Sequence, residues 1–286
     1  MQPKIGIIGG TGYIGNSLTS ILDNYKIFCR SKKQKDSNVF NGDIQNFSDV
    51  KHFLKSVDIL INLSGQYSDN LDFLNSNSIG MINIARACKI CNVKNLLHFS
   101  TINVYGDNLK YFDEKRIPKP NTYYSKIKYL SEEILKSFSD KYNLDITIFR
   151  LSNIYGNPQQ NGIISNLINS LVNSKSILIS HNGNQYRDFF HIDDLLTVIR
   201  FFIENPMEGF NIFNLCSSNS IKIKDLIKII NKNSLKKLDV NFSETSKDEK
   251  YISASNFKLK KYTKISNFMN ITDGVIRELK NNSLLR

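Results

Sequence analysis

Short apolar runs alternate with amphipathic stretches through the first 215 residues of this 286-residue chain. Strand-like segments fall at 4–8 (KIGII), 26–30, 57–62 (VDILIN), 95–100 (NLLHFS), 145–150 (DITIFR) and 211–215 (NIFNL). Between them, apolar residues recur at helical spacing over 12–22, 46–55, 71–91, 121–142 and 193–204. Strands that read as unbroken apolar runs are buried on both faces. Their alternation with helices predicts an α/β fold built on a doubly wound parallel sheet. Beyond residue 156 the regularity fades. Residues 1–155, with about 192–215, are expected to form the sheet domain, and 156–191 with 216–286 a smaller α/β lobe. No internal repeat or low-complexity linker interrupts the chain.

The first strand runs straight into glycines. In IGIIGGTGYIGNSL (5–18), Gly9, Gly12 and Gly15 stand three apart and a helix opens behind them. Glycine permits the tight turn and lets the backbone approach a pyrophosphate at a helix N-terminus. This context predicts a Rossmann sheet that binds a dinucleotide, with Thr11, Tyr13 and Ile14 beside the glycines. An acid roughly 20 residues on would bond the 2′-hydroxyl of NAD. Here the second strand ends FCRSKKQK, and Arg30 stands at that place, followed by Ser31, Lys32 and Lys33. A guanidinium and lysines suit a 2′-phosphate, so NADP is the expected cofactor and NAD the alternative. In NGDI (41–44), Asp43 is placed to accept from the adenine amino group, with Ile44 beside it.

NTYYSKIKYLSEE (121–133) carries a second pattern. Residues four apart share a helix face. Tyr124 has Lys128 at that offset, and Lys128 has Glu132; Tyr123 has only Ile127. The Tyr124/Lys128 pair is therefore the candidate for proton transfer, the cationic Lys128 being expected to favour the phenolate and lower the phenol below its free value of ~10, with Tyr123, Lys126 and Glu133 as bystanders and Glu132 capping or pairing on its own helix.

Composition narrows the classes. The chain is 41% hydrophobic and 22% charged, as ordinary globular proteins are. No apolar run reaches a membrane span, and MQPKIGIIGG enters a strand without a signal peptide. The formal charge of +12 comes without a compact basic run or stacking motif, so nucleic-acid and membrane partners are not expected. Cys88 and Cys91 form a C-x-x-C within MINIARACKICNV, but a zinc site needs two more ligands and no second pair exists. Buried thiols on a helix face are expected, with no metal and a reducing, cytoplasmic setting.

Taken in order, the glycine loop, Asp43-Ile44, the Tyr124/Lys128 pair and several further stretches resemble the extended short-chain dehydrogenase/reductase family, in its nucleotide-sugar epimerase/dehydratase/reductase branch. HFSTINVYG (98–106) is similar to the strand carrying the family's catalytic hydroxyl, which assigns that role to Thr101, with Ser100 and Asn103 beside it on the cofactor and substrate sides. FRLSNIYGNP (149–158) assigns Asn153 to the substrate, and GNQYRDFFHIDD (183–194) assigns Arg187 to its phosphates. NLSG (62–65) implies cofactor contacts at Leu63, Ser64 and Gly65, and NSIG (77–80) implies Asn77. The resemblance also implies a sugar-nucleotide substrate and a homodimer built on the helices at 71–91 and 121–142.

Departures from the family pattern select among its activities. Dehydratases carry Asp-Glu after the catalytic Thr; Ile102 and Asn103 offer neither acid nor base. No cysteine lies near Thr101 for the epimerisation of the GDP-fucose synthase type. The expectation is NADPH-dependent reduction of a nucleoside-diphosphate 4-keto-(6-deoxy)sugar at C4, in activated-sugar biosynthesis for surface polysaccharide. An NAD-dependent 4-epimerase or C4 dehydrogenase is the alternative, and a non-enzymatic NADP sensor a third. The family's Arg-x-x-Asp/Glu near the C-terminus is reduced to SKDEKYIS (246–253), with Lys247 in place of Arg.

Overall fold

The computed structural model describes residues 2–30, 37–65, 71–107, 109–157, 161–244 and 251–286. The elements run β1 (Ile5–Ile8), α1 (Tyr13–Thr19), β2 (Tyr25–Cys29), β3 (Val39–Asn41), α2 (Phe47–Leu54), β4 (Ile59–Asn62), α3 (Leu71–Asn77), α4 (Ile79–Ile90) and β5 (Asn95–Thr101). They continue with β6 (Leu109–Phe112), α5 (Tyr123–Tyr142), β7 (Ile146–Leu151), β8 (Asn153–Tyr155), α6 (Ile163–Asn173), β9 (Ile177–Ser180), β10 (Tyr186–His191), α7 (Ile192–Glu204) and β11 (Phe210–Leu215). The last are β12 (Ser220–Lys222), α8 (Ile223–Asn233), β13 (Val240–Ser243), β14 (Ile252–Ala254), α9 (Phe257–Thr263) and α10 (Ile271–Asn281).

One compact unit comprises Met1–Gly106, Pro118–Arg150 and Ile199–Phe213. Its seven-stranded sheet has the order β11-β7-β5-β4-β1-β2-β3, and the β3–β2–β1–β4–β5 pairings are parallel. β1 lies between β2 and β4, with Ile5 opposite both Tyr25 and Ile59. The strand order reverses beside β1, and in such sheets the crevice beyond the carboxyl ends there is where ligands bind. β1, β4 and β5 are buried along their whole length, as their unbroken apolar runs require. Phe53 and Leu54 of α2, Ile84 of α4 and Leu135 of α5 are fully buried in one cluster with Leu60 and Ile146. Each such side chain contributes about 1.5–3 kcal/mol of transfer free energy.

The expected helix at 71–91 is two helices. Ser78, with φ −117° and ψ −77°, separates α3 from α4, and its hydroxyl donates to the Leu74 carbonyl at 2.7 Å. A serine hydroxyl competing for the backbone carbonyl four residues back is a recognised way to interrupt a helix. α5 is continuous. Thr122 and Ser125 close a reciprocal capping box at its start, and left-handed Asn143 ends it.

The second unit comprises Asp107–Ile117, Leu151–Val198 and Asn214–Arg286. It holds the sheet β12-β10-β8 and the two-stranded sheets β13-β9 and β14-β6. Leu167, Leu226, Ile230, Val275 and Leu279 from α6, α8 and α10 form its core. The boundaries differ from those read in the sequence. Residues 107–117 belong to this unit because β6 pairs with β14, about 140 positions later, and 151–155 join it because β8 pairs with β10. Residues 192–198 fall in it as well.

Candidate active site

The glycines after β1 are explained by close approach. Gly9 has φ +80°, and a Cβ there would sit 3.0 Å from the Leu63 carbonyl carbon. A Cβ on Gly15 would lie 2.5 Å from the Gly10 backbone. At Gly12 a Cβ would meet only the Gly9 oxygen, at 3.4 Å. The space over Gly12 is therefore open, and it adjoins the start of α1 at Tyr13 and Ile14. A groove of about 230 Å³ beside this turn is lined by Gly9, Thr11, Arg30, Asp43, Ile44, Ser64 and Gly65, all expected from the sequence. Phe28, Cys29, Gly42, Asp72, Phe73 and Ser76 also line it and were not expected.

Asp72 changes the electrostatics at the β2 end. Its Oδ2 lies 2.7 Å from Arg30 Nη1, and its Oδ1 accepts from Gln45 Nε2 at 2.8 Å. Asp43 Oδ1 accepts from the Gln45 backbone N–H at 2.9 Å, and the Asp43 N–H donates to Asp49 Oδ2 at 3.0 Å. The hydrogen bond to Asp72, then the charges of Asp72 and Asp43, push the Arg30 guanidinium further up. Ser31 and Lys32 lie outside the described residues.

The far end of the groove is tied to α5. Lys128 is buried, and its Nζ donates to the Ser64 carbonyl at 3.4 Å. Gly65 has φ +106°, and a Cβ there would stand 2.8 Å from Asn77 Oδ1 and 3.1 Å from Lys128 Nζ. Asn77 is itself buried, donating to the Phe73 carbonyl at 2.8 Å while its own carbonyl accepts from the Ser131 hydroxyl at 2.9 Å. Asn62 Oδ1 accepts from the Ser64 N–H and hydroxyl, at 3.1 and 2.6 Å. Ser64, Gly65, Asn77 and Lys128 thus form one cluster, and Leu63 is held by its N–H donating to the Ile8 carbonyl at 2.9 Å.

Tyr124 stacks on Phe73 of α3, with ring centroids 5.8 Å apart and planes 15° from parallel. Burial pushes its phenol above the usual value, and burial lowers Lys128 to about 8. The expected lowering of the phenol by Lys128 is therefore not what this structure holds: desolvation dominates at both groups. Thr101 is buried, and its Oγ1 accepts from the Asn103 N–H at 3.2 Å. That leaves the hydroxyl proton to donate elsewhere. The Asn103 side chain is exposed.

Glu132 pairs across elements and not along its own helix. Its carboxylate accepts from Arg150 Nη2 at 2.6 Å and from Arg150 Nε at 3.2 Å to each oxygen, and from the Ser100 hydroxyl. Arg150 also lies 4.6 Å over the Tyr105 ring. Both ion-pair side chains are only 2% exposed. Ser100 is thereby occupied beneath the site, next to Thr101.

Asn153 and Arg187 lie in the second unit, on the neighbouring strands β8 and β10. Asn153 Nδ2 donates to the Asp188 carbonyl at 2.9 Å, and Arg187 Nη1 donates to the Tyr186 carbonyl at 2.9 Å. Burial lowers the Arg187 guanidinium and Asp107 partly restores it. Asp188 instead accepts from the Ser217 N–H, Asp193 pairs with Arg277, and Asp194 accepts from the Met269 N–H. Lys247 lies outside the described residues.

Comparison with known proteins places this arrangement. The model of the NAD dependent epimerase/dehydratase family matches residues 5–216. The chain belongs to that family. Within it, the chain is 27% identical over 266 residues to a dTDP-D-glucose 4,6-dehydratase of Dictyostelium discoideum, covering 79% of this chain and 61% of that protein. It is 23% identical over 248 residues to the N-acetyl-alpha-D-glucosaminyl-diphospho-ditrans,octacis-undecaprenol 4-epimerase of Escherichia coli O157:H7, covering 83% of this chain and 74% of that protein. The fold is that of MoeE5, solved in complex with UDP-glucuronic acid and NAD. That match has a TM-score of 0.88 over 98% of this chain and 100% of the other, at 18% identity. The glycine turn, the open face over Gly12 and the polar cluster at the β2 end fit the dinucleotide that the family name implies.

Proposed function

We propose that this family member reduces a nucleoside-diphosphate 4-keto-(6-deoxy)sugar at C4 with NADPH, as a step in activated-sugar synthesis for surface polysaccharide. The observation that carries the reading is that the Tyr124/Lys128 pair is tied to the wall of the groove. A half-buried Tyr124 stacks on Phe73 and a buried Lys128 bonds Ser64, both residues of the groove wall, and at the end of β5 the Thr101 hydroxyl has its oxygen already capped. The residues that follow Thr101, Ile102 and Asn103, offer no acid or base for dehydration.

A dinucleotide bound in the groove supplies the hydride. Thr101 directs its hydroxyl proton toward the substrate C4 oxygen and orients it. Burial keeps the Tyr124 phenol protonated, which is the state a reduction starts from, and Tyr124 delivers that proton to the oxygen as charge develops there. Lys128, held by the Ser64 carbonyl, stabilises the phenolate that remains. Arg187, whose charge Asp107 partly restores against burial, is assigned to the sugar-nucleotide phosphates, and Asn153 to the sugar. The exposed Ile79, Ile82, Ile90, Tyr123 and Leu130 of α4 and α5 support a homodimer formed on these helices. No helix among the described residues is long and apolar enough to cross a membrane, which fits the cytoplasmic setting proposed.

The 4-epimerase reading is favoured by one observation: Asp72 already engages Arg30, which suits a retained NAD. A panel of nucleoside-diphosphate 4-ketosugars scored by NADPH and NADH consumption separates the two. Net consumption of NADPH supports the reductase. Interconversion of 4-hydroxy epimers with no net consumption supports the epimerase.

A further inference from the structure

Arg30 is the residue that the sequence assigns to the 2′-phosphate, yet its guanidinium already has a counter-ion. Asp72 Oδ2 lies 2.7 Å from Arg30 Nη1. The carboxylate is itself held from the other side by Gln45 Nε2, at 2.8 Å to Oδ1. Gln45 is in turn placed by its N–H donating to Asp43 Oδ1 at 2.9 Å. Arg30, Asp43 and Asp72 all line the groove. Two carboxylates thus face one guanidinium among the described residues of this end of the site.

We infer that Asp72 is a specificity-determining residue for the cofactor: it is the internal counter-ion of Arg30, stands in competition with a 2′-phosphate, and restrains the preference for NADP over NAD. The inference rests on the dinucleotide reading of the groove and deepens it. A 2′-phosphate brings close to two negative charges at neutral pH, whereas a 2′-hydroxyl brings none. A phosphate that pairs with Arg30 shares the guanidinium with Asp72 or displaces it, and in either case lies beside that carboxylate. A hydroxyl can donate to Asp72 and leave the pair intact. The pair is solvent-exposed, with side chains 63% and 39% accessible, so the competition is modest and the site can accept either dinucleotide. Asp72 lies on α3, 42 positions from Arg30, so the choice is made by a helix and not by the β2 terminus alone.

The test is calorimetric titration of the full-length protein with NADP and NAD, repeated with adenosine 2′,5′-bisphosphate and AMP to isolate the adenosine end. Asp72→Asn keeps the shape and removes the charge. It should raise affinity for NADP and for the bisphosphate about fivefold, the scale of an exposed ion pair, and leave affinity for NAD and AMP unchanged or slightly lower. In an Arg30→Ala background the same substitution should produce a much smaller gain. An unchanged NADP-to-NAD ratio in Asp72→Asn overturns the proposal. So does a full gain that persists without Arg30, since Asp72 would then act on the phosphate directly. Wild-type protein that binds neither dinucleotide nor either adenosine fragment would instead sink the groove reading on which the proposal stands.

Discussion

Glu132→Ala is the sharpest structural perturbation available. The substitution removes a carboxylate that receives both Arg150 Nε and Nη2 as well as the Ser100 hydroxyl. Arg150 would remain 2% exposed with the Tyr105 ring as its remaining charge-stabilising contact in this network. Leaving one partner of a buried ion pair uncompensated costs about 3–5 kcal/mol, a large share of the ~5–15 kcal/mol that stabilises a typical domain. For a domain of this size the midpoint of thermal unfolding should fall by roughly 6–20 °C. Glu132→Gln, which keeps the shape, should lose nearly as much, because the charge and not the volume is missing. Glu132→Leu with Arg150→Met should recover most of the loss, since replacing a whole buried pair by apolar groups is often close to neutral. The assay is denaturant unfolding of wild type, both single variants and the pair, followed by circular dichroism. A Glu132→Ala protein within about 1 kcal/mol of wild type would refute the reasoning, because that is the behaviour of a surface bridge.

Gly15→Ala should abolish dinucleotide binding measured by calorimetry, since its Cβ would lie 2.5 Å from the Gly10 backbone and must displace the turn. Lys128→Met should be more stable than wild type near neutral pH. Burial lowers Lys128 to about 8 against ~10.4 for a free lysine, so the unfolded chain binds more protons between those values and wild-type stability rises with pH across that window. The advantage of the Met variant in urea titrations should therefore shrink as pH approaches about 10; a pH-independent difference would contradict it. Arg187→Ala should weaken sugar-nucleotide binding while leaving dinucleotide affinity and the unfolding midpoint nearly unchanged, because Asp188, Asp193 and Asp194 have other partners.

The parallel sheet was readable because β1, β4 and β5 are buried on both faces and so carry unbroken apolar runs. The glycine turn was readable because φ +80° at Gly9 and the contact at Gly15 leave no other residue type. Arg30 was readable by its offset from Gly12, but its partner was not, since Asp72 approaches through the packing of α3. The same holds for Glu132, whose i+4 relation to Lys128 pointed along the helix while the stabilising charge came from β7. Ser78 looked like a helical residue, and its backbone angles and its hydroxyl bond to Leu74 show the break. Residues 107–117 were read as part of the sheet domain running to 155, yet β6 within them pairs with β14. The phenol of Tyr124 followed burial where spacing alone predicted a charge effect.

The proposal stands on Tyr124 as the proton donor, and turnover by Tyr124→Phe tests it most directly. With the 4-ketosugar that the wild type reduces fastest, the variant should turn over roughly 100-fold or more slowly, the usual scale for lost general acid catalysis. Its dinucleotide affinity should hardly change, and Tyr123→Phe, altered at a ring that is 44% exposed, should stay near wild type. A Tyr124→Phe enzyme with wild-type turnover, or a dead Tyr123→Phe beside it, would contradict the assignment of this helix and of the chemistry built on it.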